Sequence, residues 1–541
     1  MRRMFAVATL SAAAWIAVAC SSPNGAALVP TPVTDTAEFS PVIITTDAPP
    51  PMDTAEFAPI IITETTDILR PPREVRAPTR LTVLADSLLS DPMFRTMHWG
   101  VLIVDPVRGD TLYAQNAEKL FVPASNTKLV TAAVALTQLG PDFRYTTRVL
   151  GRAPRAGVIN GDLVVVGEGD PSFSDSLSGS AMAPLLALAD SLHARGVRRV
   201  TGRLASGANT FPGDTIGAGW AWDDLDEGYA GAVDELTFNE GFARVTVVGG
   251  ARPGMPVTVR SAPSPSVPMI GRVAVTTVGC CVLRRDLQYR VDTRGPRPLL
   301  HFAGAVRARD SITINVALRN PNTAFLDAFA EALQARGITV SGGVAIDTTA
   351  DTTGLTLLAS RVSPTLAAML PAFQKPSQNQ IGELLLRTLG HVKAGVGTAD
   401  SGRVVVRRQL EAWGIDSAQA AIRDGSGLSR RNFISPEAVV RVLEVMRSSP
   451  SFDAWFQALP IGGVDGTIRE RMRGTLAAGN VRAKTGTLDR VRSLSGYVTT
   501  ADGHTLLFSM LANHHPVPTR EVERVQDALL AHLASLTLLP R

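Results

Sequence analysis

Three short groups of residues, in chain order, have the types and spacing for covalent chemistry: Ser125-Asn-Thr-Lys128, Ser377-Gln-Asn379 and Lys484-Thr-Gly486. A serine hydroxyl is a weak nucleophile and needs an adjacent base. Spacing of i, i+3 on a helix brings Lys128 beside Ser125 on one face. A lysine can act as base only where burial or a neighbouring cation lowers its pKa, and an arginine cannot serve because it stays protonated. Of 53 basic residues only Lys119, Lys128, Lys375, Lys393 and Lys484 are lysines, so lysine at two of the three groups is informative. The chemistry expected is nucleophilic catalysis by Ser125 with Lys128 as its base. A helix start at Ser125 would also favour negative charge developing there. Short motifs arise by chance, and Ser22-Pro-Asn24 is a second Ser-x-Asn, so the weight rests on order and context.

Each group needs an element to hold it. Apolar residues at 129, 130, 133, 134 and 136 predict a buried helix after Ser125, stopped by Gly140-Pro141. Ser377 precedes a predicted helix over 379–392, and Lys484 precedes a strand pair at 493–500 and 505–512, followed by a helix over 520–536. Further helices are predicted over 80–89, 365–373 and 401–413, and a strand over 100–105. Residues 145–320 read as short strands and turns, interrupted by a helix around 184–195, with another helix over 324–337. The expectation is an α/β (α+β) chain. The C-terminal strand, turn, strand and helix read as an antiparallel sheet capped by terminal helices, and residues 145–320 as one or two strand-rich units.

Composition narrows the classes. A chain of 541 residues suggests three or four units. With 45% hydrophobic and 19% charged residues it can bury real cores. A net charge of +4 without a long basic run argues against a nucleic-acid partner. Three cysteines exclude a disulfide-stapled scaffold, and Cys280 beside Cys281 with Cys20 far away excludes an ordinary Cys-based zinc site. No His-Glu-x-x-His occurs, which argues against a zinc peptidase; no metal or cofactor is expected. Cys280-Cys281 is expected as a buried pair in a strand rather than a redox site.

Residues 1–20 read as an export signal: Arg2 and Arg3, then an apolar run from Met4 to Val18 too short to span a bilayer comfortably. The ending Ala17-Val18-Ala19-Cys20 resembles a bacterial lipoprotein signal, although Ala17 stands where Leu is usual. It implies lipidation of Cys20, a periplasmic protein and, from Ser21, an outer-membrane anchor. The alternative is ordinary cleavage near Ala19. Residues 21–78 form a Pro/Thr-rich tether with an 18-residue repeat, Asp35-Thr-Ala-Glu-Phe returning at Asp53, and read as a semi-extended spacer.

Other segments join the three groups: Gly167-Glu-Gly-Asp-Pro171, Asp424-Gly-Ser-Gly-Leu-Ser-Arg430, Gly462-Gly-Val-Asp-Gly-Thr-Ile-Arg469 and Arg482-Ala-Lys-Thr-Gly-Thr487. With them, the chain from about residue 95 onward resembles the penicillin-binding D-alanyl-D-alanine carboxypeptidase/endopeptidase family (peptidase family S13, low-molecular-mass class C). The motif triplet itself marks penicillin-binding proteins and class A β-lactamases. The long interval between Ser125 and Ser377 fits this family, which inserts domains there.

The resemblance implies a serine β-lactamase/transpeptidase-like fold: residues 79–150 and 351–541 would form one catalytic body, an antiparallel sheet with helices on both faces, and residues 151–350 would be mainly-β inserted domains. It also implies a serine D,D-carboxypeptidase acting on peptidoglycan stem peptides. It further implies D,D-endopeptidase action at the same site and β-lactams as covalent inhibitors. Ser125 would be acylated, Lys128 would take its proton, and Ser377 would relay a proton to the leaving D-Ala, with Lys484. Asn379 would hold the substrate amide. Lys484 and Thr485, within Lys484-Thr-Gly486-Thr487, would bind the terminal carboxylate. The N–H groups of Ser125 and Thr487 would form the oxyanion hole. Arg430 would meet an acidic group of the stem, and Asp224 an amine. Gln378 replaces the usual Asp of the second motif. Asp170 is expected to stabilise a turn and Ser426 to be structural. Two rivals remain: a β-lactamase-like hydrolase, told apart by rapid turnover of nitrocefin, and a non-catalytic envelope-binding lipoprotein, told apart by a Ser125→Ala variant without phenotype.

Overall fold

The computed structural model describes residues 79–283, 286–295, 297–347 and 352–538. The predicted signal, Cys20 and the tether repeat lie outside the described residues.

A five-stranded sheet organises the catalytic body. Its strands, in spatial order, are Arg482–Leu488, Val491–Thr499, Thr505–Asn513, His98–Asp105 and Asp110–Gln115, and every neighbouring pair is antiparallel. Side chains alternate across a strand. On His98–Asp105, Val101 and Ile103 enter one core with Leu81, Ala85, Val522 and Leu529. Leu102 and Val104 enter the other, with Val130, Val134, Leu385 and Val442. The first core is closed by the helices Thr79–Leu89 and Thr519–Ser535, the second by Thr127–Leu139, Asn379–Ala394 and Pro436–Arg447. The expected antiparallel sheet with helices on both faces is therefore present. Both faces being covered explains why Leu506-Leu-Phe-Ser-Met-Leu-Ala512 is apolar without alternation.

Two departures from expectation concern this body. Lys484 lies inside an edge strand, not ahead of a strand pair. The polar Lys-Thr-Gly-Thr run hides a strand whose partner is only on one side. The helix Pro436–Arg447, absent from the expectations, is capped by Ser435, whose hydroxyl accepts the Ala438 N–H.

The inserted chain enters and leaves side by side, because Thr146–Gly151 pairs antiparallel with Thr356–Val362. These strands belong to a second five-stranded sheet, completed by Leu163–Val166, Leu204–Ser206 and Val344–Ala345, with parallel pairs at its far end. The helices Met182–Ala194 and Pro321–Ala335 pack on it through Leu185, Leu188, Phe325 and Phe329. Three three-stranded sheets accompany it among the described residues. In one of them, Leu299–Arg307 lies between Met269–Val278 and Leu287–Asp292. Cys280 and Cys281 correct an expectation: both are exposed, in the connection between those two outer strands. Pairing ends at Val278, and the positive φ of Cys281 (66°) turns the chain out of the strand.

Candidate active site

Ser125 sits on a 3-10 turn, Ala124–Asn126, that runs into the Thr127–Leu139 helix. Ala124 has φ 48° and Ser377 φ 66°, so both motif serines are set by turns that ordinary residues adopt at a cost. Two distant segments converge on the first turn, the edge strand Arg482–Leu488 and the loop at Gly427. Asn126 Nδ2 donates to the carbonyl of Lys484 at 2.8 Å, tying it to the edge strand. A Cβ on Gly486 would stand 2.3 Å from the Pro123 carbonyl oxygen. A Cβ on Gly427, whose φ is 85°, would stand 1.9 Å from that of Ala124. Backbone approaches this close need glycine.

Lys128 is fully buried with three partners for Nζ: Ser125 Oγ at 2.8 Å, Asn379 Oδ1 at 2.7 Å and the Ser426 carbonyl at 2.6 Å. The Asn379 amide orientation is fixed, because Nδ2 donates to the Tyr229 carbonyl at 2.8 Å. Two of the three partners can therefore only accept. A neutral amine has two N–H bonds for them and one lone pair for the Ser125 hydroxyl proton. Burial lowers the Lys128 pKa to about 7, against the opposing pull of Asp424 and Glu383.

Lys484 Nζ donates to Ser377 Oγ at 2.8 Å and to the Thr485 carbonyl at 3.0 Å. Burial holds its pKa well below the usual lysine value, reinforced by the charges of Lys128 and Arg492. The Thr485 hydroxyl pairs with that of Thr467 at 2.7 Å, and the exposed Thr487 accepts from Arg492. The structure thus gathers Ser125, Lys128, Ser377, Asn379, Lys484, Thr485, Gly486 and Thr487 at one place.

The two rim residues lie farther out. Arg430 is exposed and donates to the Asp489 carbonyl at 3.2 Å, just past the Lys-Thr-Gly strand. Asp224 accepts the Tyr229 hydroxyl at 2.6 Å; the same tyrosine's carbonyl holds Asn379. Asp170 is buried, accepting from Ser172 N at 2.8 Å and pairing with Arg361 at 2.6 Å, in the turn-stabilising role expected.

Three site components were not predicted. The Ser426 carbonyl serves Lys128, while the Ser426 hydroxyl stays structural and accepts Leu428 N at 3.3 Å. Backbone carbonyls carry no residue signature. Glu383 is buried, and its carboxylate accepts the Ser426 N–H at 2.8 Å. Its place four residues after Asn379 on one helix was the available signal. Burial pushes the Glu383 carboxyl up to about 7, with Asp424 adding repulsion. Asp424 accepts the N–H groups of Gly427 at 2.8 Å and Ser429 at 2.6 Å, shaping the loop that presents Ser426.

Comparison with known proteins identifies the family and the fold. The D-Ala-D-Ala carboxypeptidase 3 (S13) family matches residues 81–535. A D-alanyl-D-alanine carboxypeptidase of Actinomadura sp. (strain R39) is 34% identical over 473 residues, covering 84% of this chain and 85% of the relative. The D-alanyl-D-alanine carboxypeptidase DacB of Haemophilus influenzae is 25% identical, covering 74% and 81%. The crystal structure of penicillin binding protein 4 (dacB) from Haemophilus influenzae superposes with a TM-score of 0.71 at 24% identity, over 85% of this chain and 100% of that one, which shows a shared fold.

Proposed function

This chain belongs to the D-Ala-D-Ala carboxypeptidase 3 (S13) family, and from that premise we propose that Ser125 is the nucleophile of its serine D,D-carboxypeptidase reaction on peptidoglycan stem peptides. Neutral Lys128 takes the Ser125 proton as Oγ attacks the penultimate D-Ala carbonyl. The oxyanion is held by the N–H groups of Ser125 and Thr487. The C–N bond then breaks, and the leaving D-Ala nitrogen receives a proton through Ser377 from the Lys484 side. Water then attacks the ester carbonyl, giving up a proton to the Lys484 side, while the Lys128 ammonium returns its proton to Ser125 Oγ as the C–O bond breaks and the shortened stem leaves.

Asn379 holds the substrate amide, and Lys484 with Thr485 and Thr487 binds the terminal carboxylate. Asp224 and Arg430 meet charged groups of the stem from the rim. The same site accepts a cross-linked stem, which gives D,D-endopeptidase action, and a β-lactam, which stays on Ser125 as a stable ester. We place the enzyme in the periplasm, held by a lipid on Cys20 through the tether. Fatty-acid labelling that survives Cys20→Ala would refute that anchor.

The observation that carries the reading is the partner set of Lys128: two obligate acceptors and one serine hydroxyl. Incubation with a fluorescent penicillin, followed by peptide mass spectrometry, tests it. A stable adduct on Ser125, lost in Ser125→Ala, supports the proposal; an adduct elsewhere, or none, overturns it. Rapid nitrocefin turnover in place of a stable adduct would mark a β-lactamase instead.

A further inference from the structure

The exposed pair Cys280-Cys281 takes no part in the acyl-transfer site. The Cys281 thiol points at the Cys280 sulfur, with the two sulfurs 2.7 Å apart, and both residues are exposed. The segment carrying them joins the outer strands Met269–Val278 and Leu287–Asp292 across the end of Leu299–Arg307. Both sides of this crossover are anchored. Before it, the Val278 carbonyl accepts Ala308 N at 2.8 Å, and the buried Thr277 hydroxyl accepts Gly250 N at 3.0 Å. After it, Asp286 N donates to the Leu283 carbonyl at 2.9 Å, and Asp286 Oδ2 accepts Leu283 N at 2.7 Å. The Asp286 carbonyl also packs so closely on Gly304 that a Cβ there would stand 2.0 Å away. Held at both ends, with Cys281 at positive φ, the segment presents two adjacent thiols already turned toward each other.

We propose that Cys280 and Cys281 form a reversible vicinal disulfide, a redox-sensitive modification site on the inserted domain. The step is thiol–disulfide exchange with a small-molecule or protein disulfide as oxidant. One thiolate attacks that disulfide and expels a thiol, forming a mixed disulfide. The second cysteine then attacks the bound sulfur and expels the other thiol. The pair loses two hydrogens and two electrons, and the oxidant is reduced to two thiols.

The closed bond is labile for a geometric reason. Consecutive Cα atoms stand about 3.8 Å apart, whereas ordinary disulfides span about 4.4–6.8 Å, and departures store strain that makes the bond easier to reduce. Closing so short a loop also adds little chain-entropy stabilisation. The bond therefore records the redox state of its surroundings and does not hold the fold together.

The test uses the full chain. Trypsin cleavage after Arg272 and Arg284 releases Val273–Arg284, which contains both cysteines of the pair and excludes Cys20. The protein is equilibrated with oxidised glutathione, blocked with iodoacetamide and digested. The expected peptide is lighter than the dithiol form by two hydrogens and carries no alkyl group; excess reduced glutathione returns it to the doubly alkylated form. In Cys281→Ser the expected product is one glutathione adduct on Cys280. Two glutathione adducts, two alkyl groups after oxidation, or a cross-link to a second chain would each overturn the proposal.

Discussion

Glu383 and Ser426 are joined by a buried hydrogen bond of 2.8 Å from the Ser426 N–H to the Glu383 carboxylate, and the carbonyl of the same Ser426 receives the Lys128 amine at 2.6 Å. One residue's backbone thus links a carboxylate to the base of the reaction. Glutamine at 383 keeps an acceptor for that N–H but removes the charge. Because the Glu383 charge raises the Lys128 pKa, Glu383→Gln should move the acid limb of the acylation profile to lower pH with little loss of fold. Glu383→Ala should instead strand the N–H, at a cost of about 1–3 kcal/mol, and lower the melting temperature. A profile unmoved in Glu383→Gln would argue that the carboxylate is merely structural.

The pH dependence of the wild-type reaction has a definite sign. Lys128 works as the free amine, and its pKa is lowered to about 7. The rate of Ser125 acylation by penicillin should therefore fall about tenfold per pH unit below that value and level off above it. Lys128→Arg, which cannot lose its proton, should slow acylation by roughly 10²–10⁴-fold at every pH. Stopped-flow measurement of adduct formation checks both; an arginine variant with a near-native rate would remove Lys128 from the role of base.

Lys484 should take up a proton when a carboxylate binds. In the empty site, burial and the charges of Lys128 and Arg492 disfavour its ammonium. An arriving carboxylate supplies the missing countercharge and raises the pKa. In Ser125→Ala, which stops at binding, calorimetry in buffers of different ionisation heat should show proton uptake on binding. Lys484→Gln should abolish it and weaken binding; uptake that persists would place the proton elsewhere.

Gly427→Ala should disturb stability and chemistry together. The added methyl would meet the Ala124 carbonyl at 1.9 Å, one residue before the nucleophile, at φ 85°. An overpacking cost of about 1–3 kcal/mol is expected, with acylation slowed because the Ser125 turn must move. Urea denaturation and adduct kinetics read the two effects; a variant native in both would show that the turn has room.

The Asp170–Arg361 pair makes a separate, purely structural prediction. Asp170 is almost fully buried, and Arg361 meets it at 2.6 Å. Arg361→Met leaves that carboxylate without a countercharge, which typically costs about 3–5 kcal/mol. The midpoint in urea should fall accordingly, while the nucleophile stays reactive under native conditions. An unchanged midpoint would mean that Asp170 is satisfied by its serine neighbours alone.

Sequence by itself determined the reacting residue types and the class of chemistry. Ser125 and Lys128 are neighbours on one helical turn, so local spacing suffices to pair them, and the scarcity of lysine made Lys484 conspicuous. Local hydrophobic periodicity also marked most of the helices and strands, whereas the two-sided helical cover of the sheet was an expectation of the family resemblance and missed the helix Pro436–Arg447. Tertiary structure alone decided that Lys128 meets Asn379 and the Ser426 carbonyl, and that Glu383 stands behind them, because those contacts join segments far apart in the chain. It also decided that Cys280 and Cys281 are exposed. A strand's apolar pattern shows that residues can be buried, but where pairing ends depends on the neighbouring strand. Burial and long-range charge, which set the pKa of Lys128, come only from the closed fold.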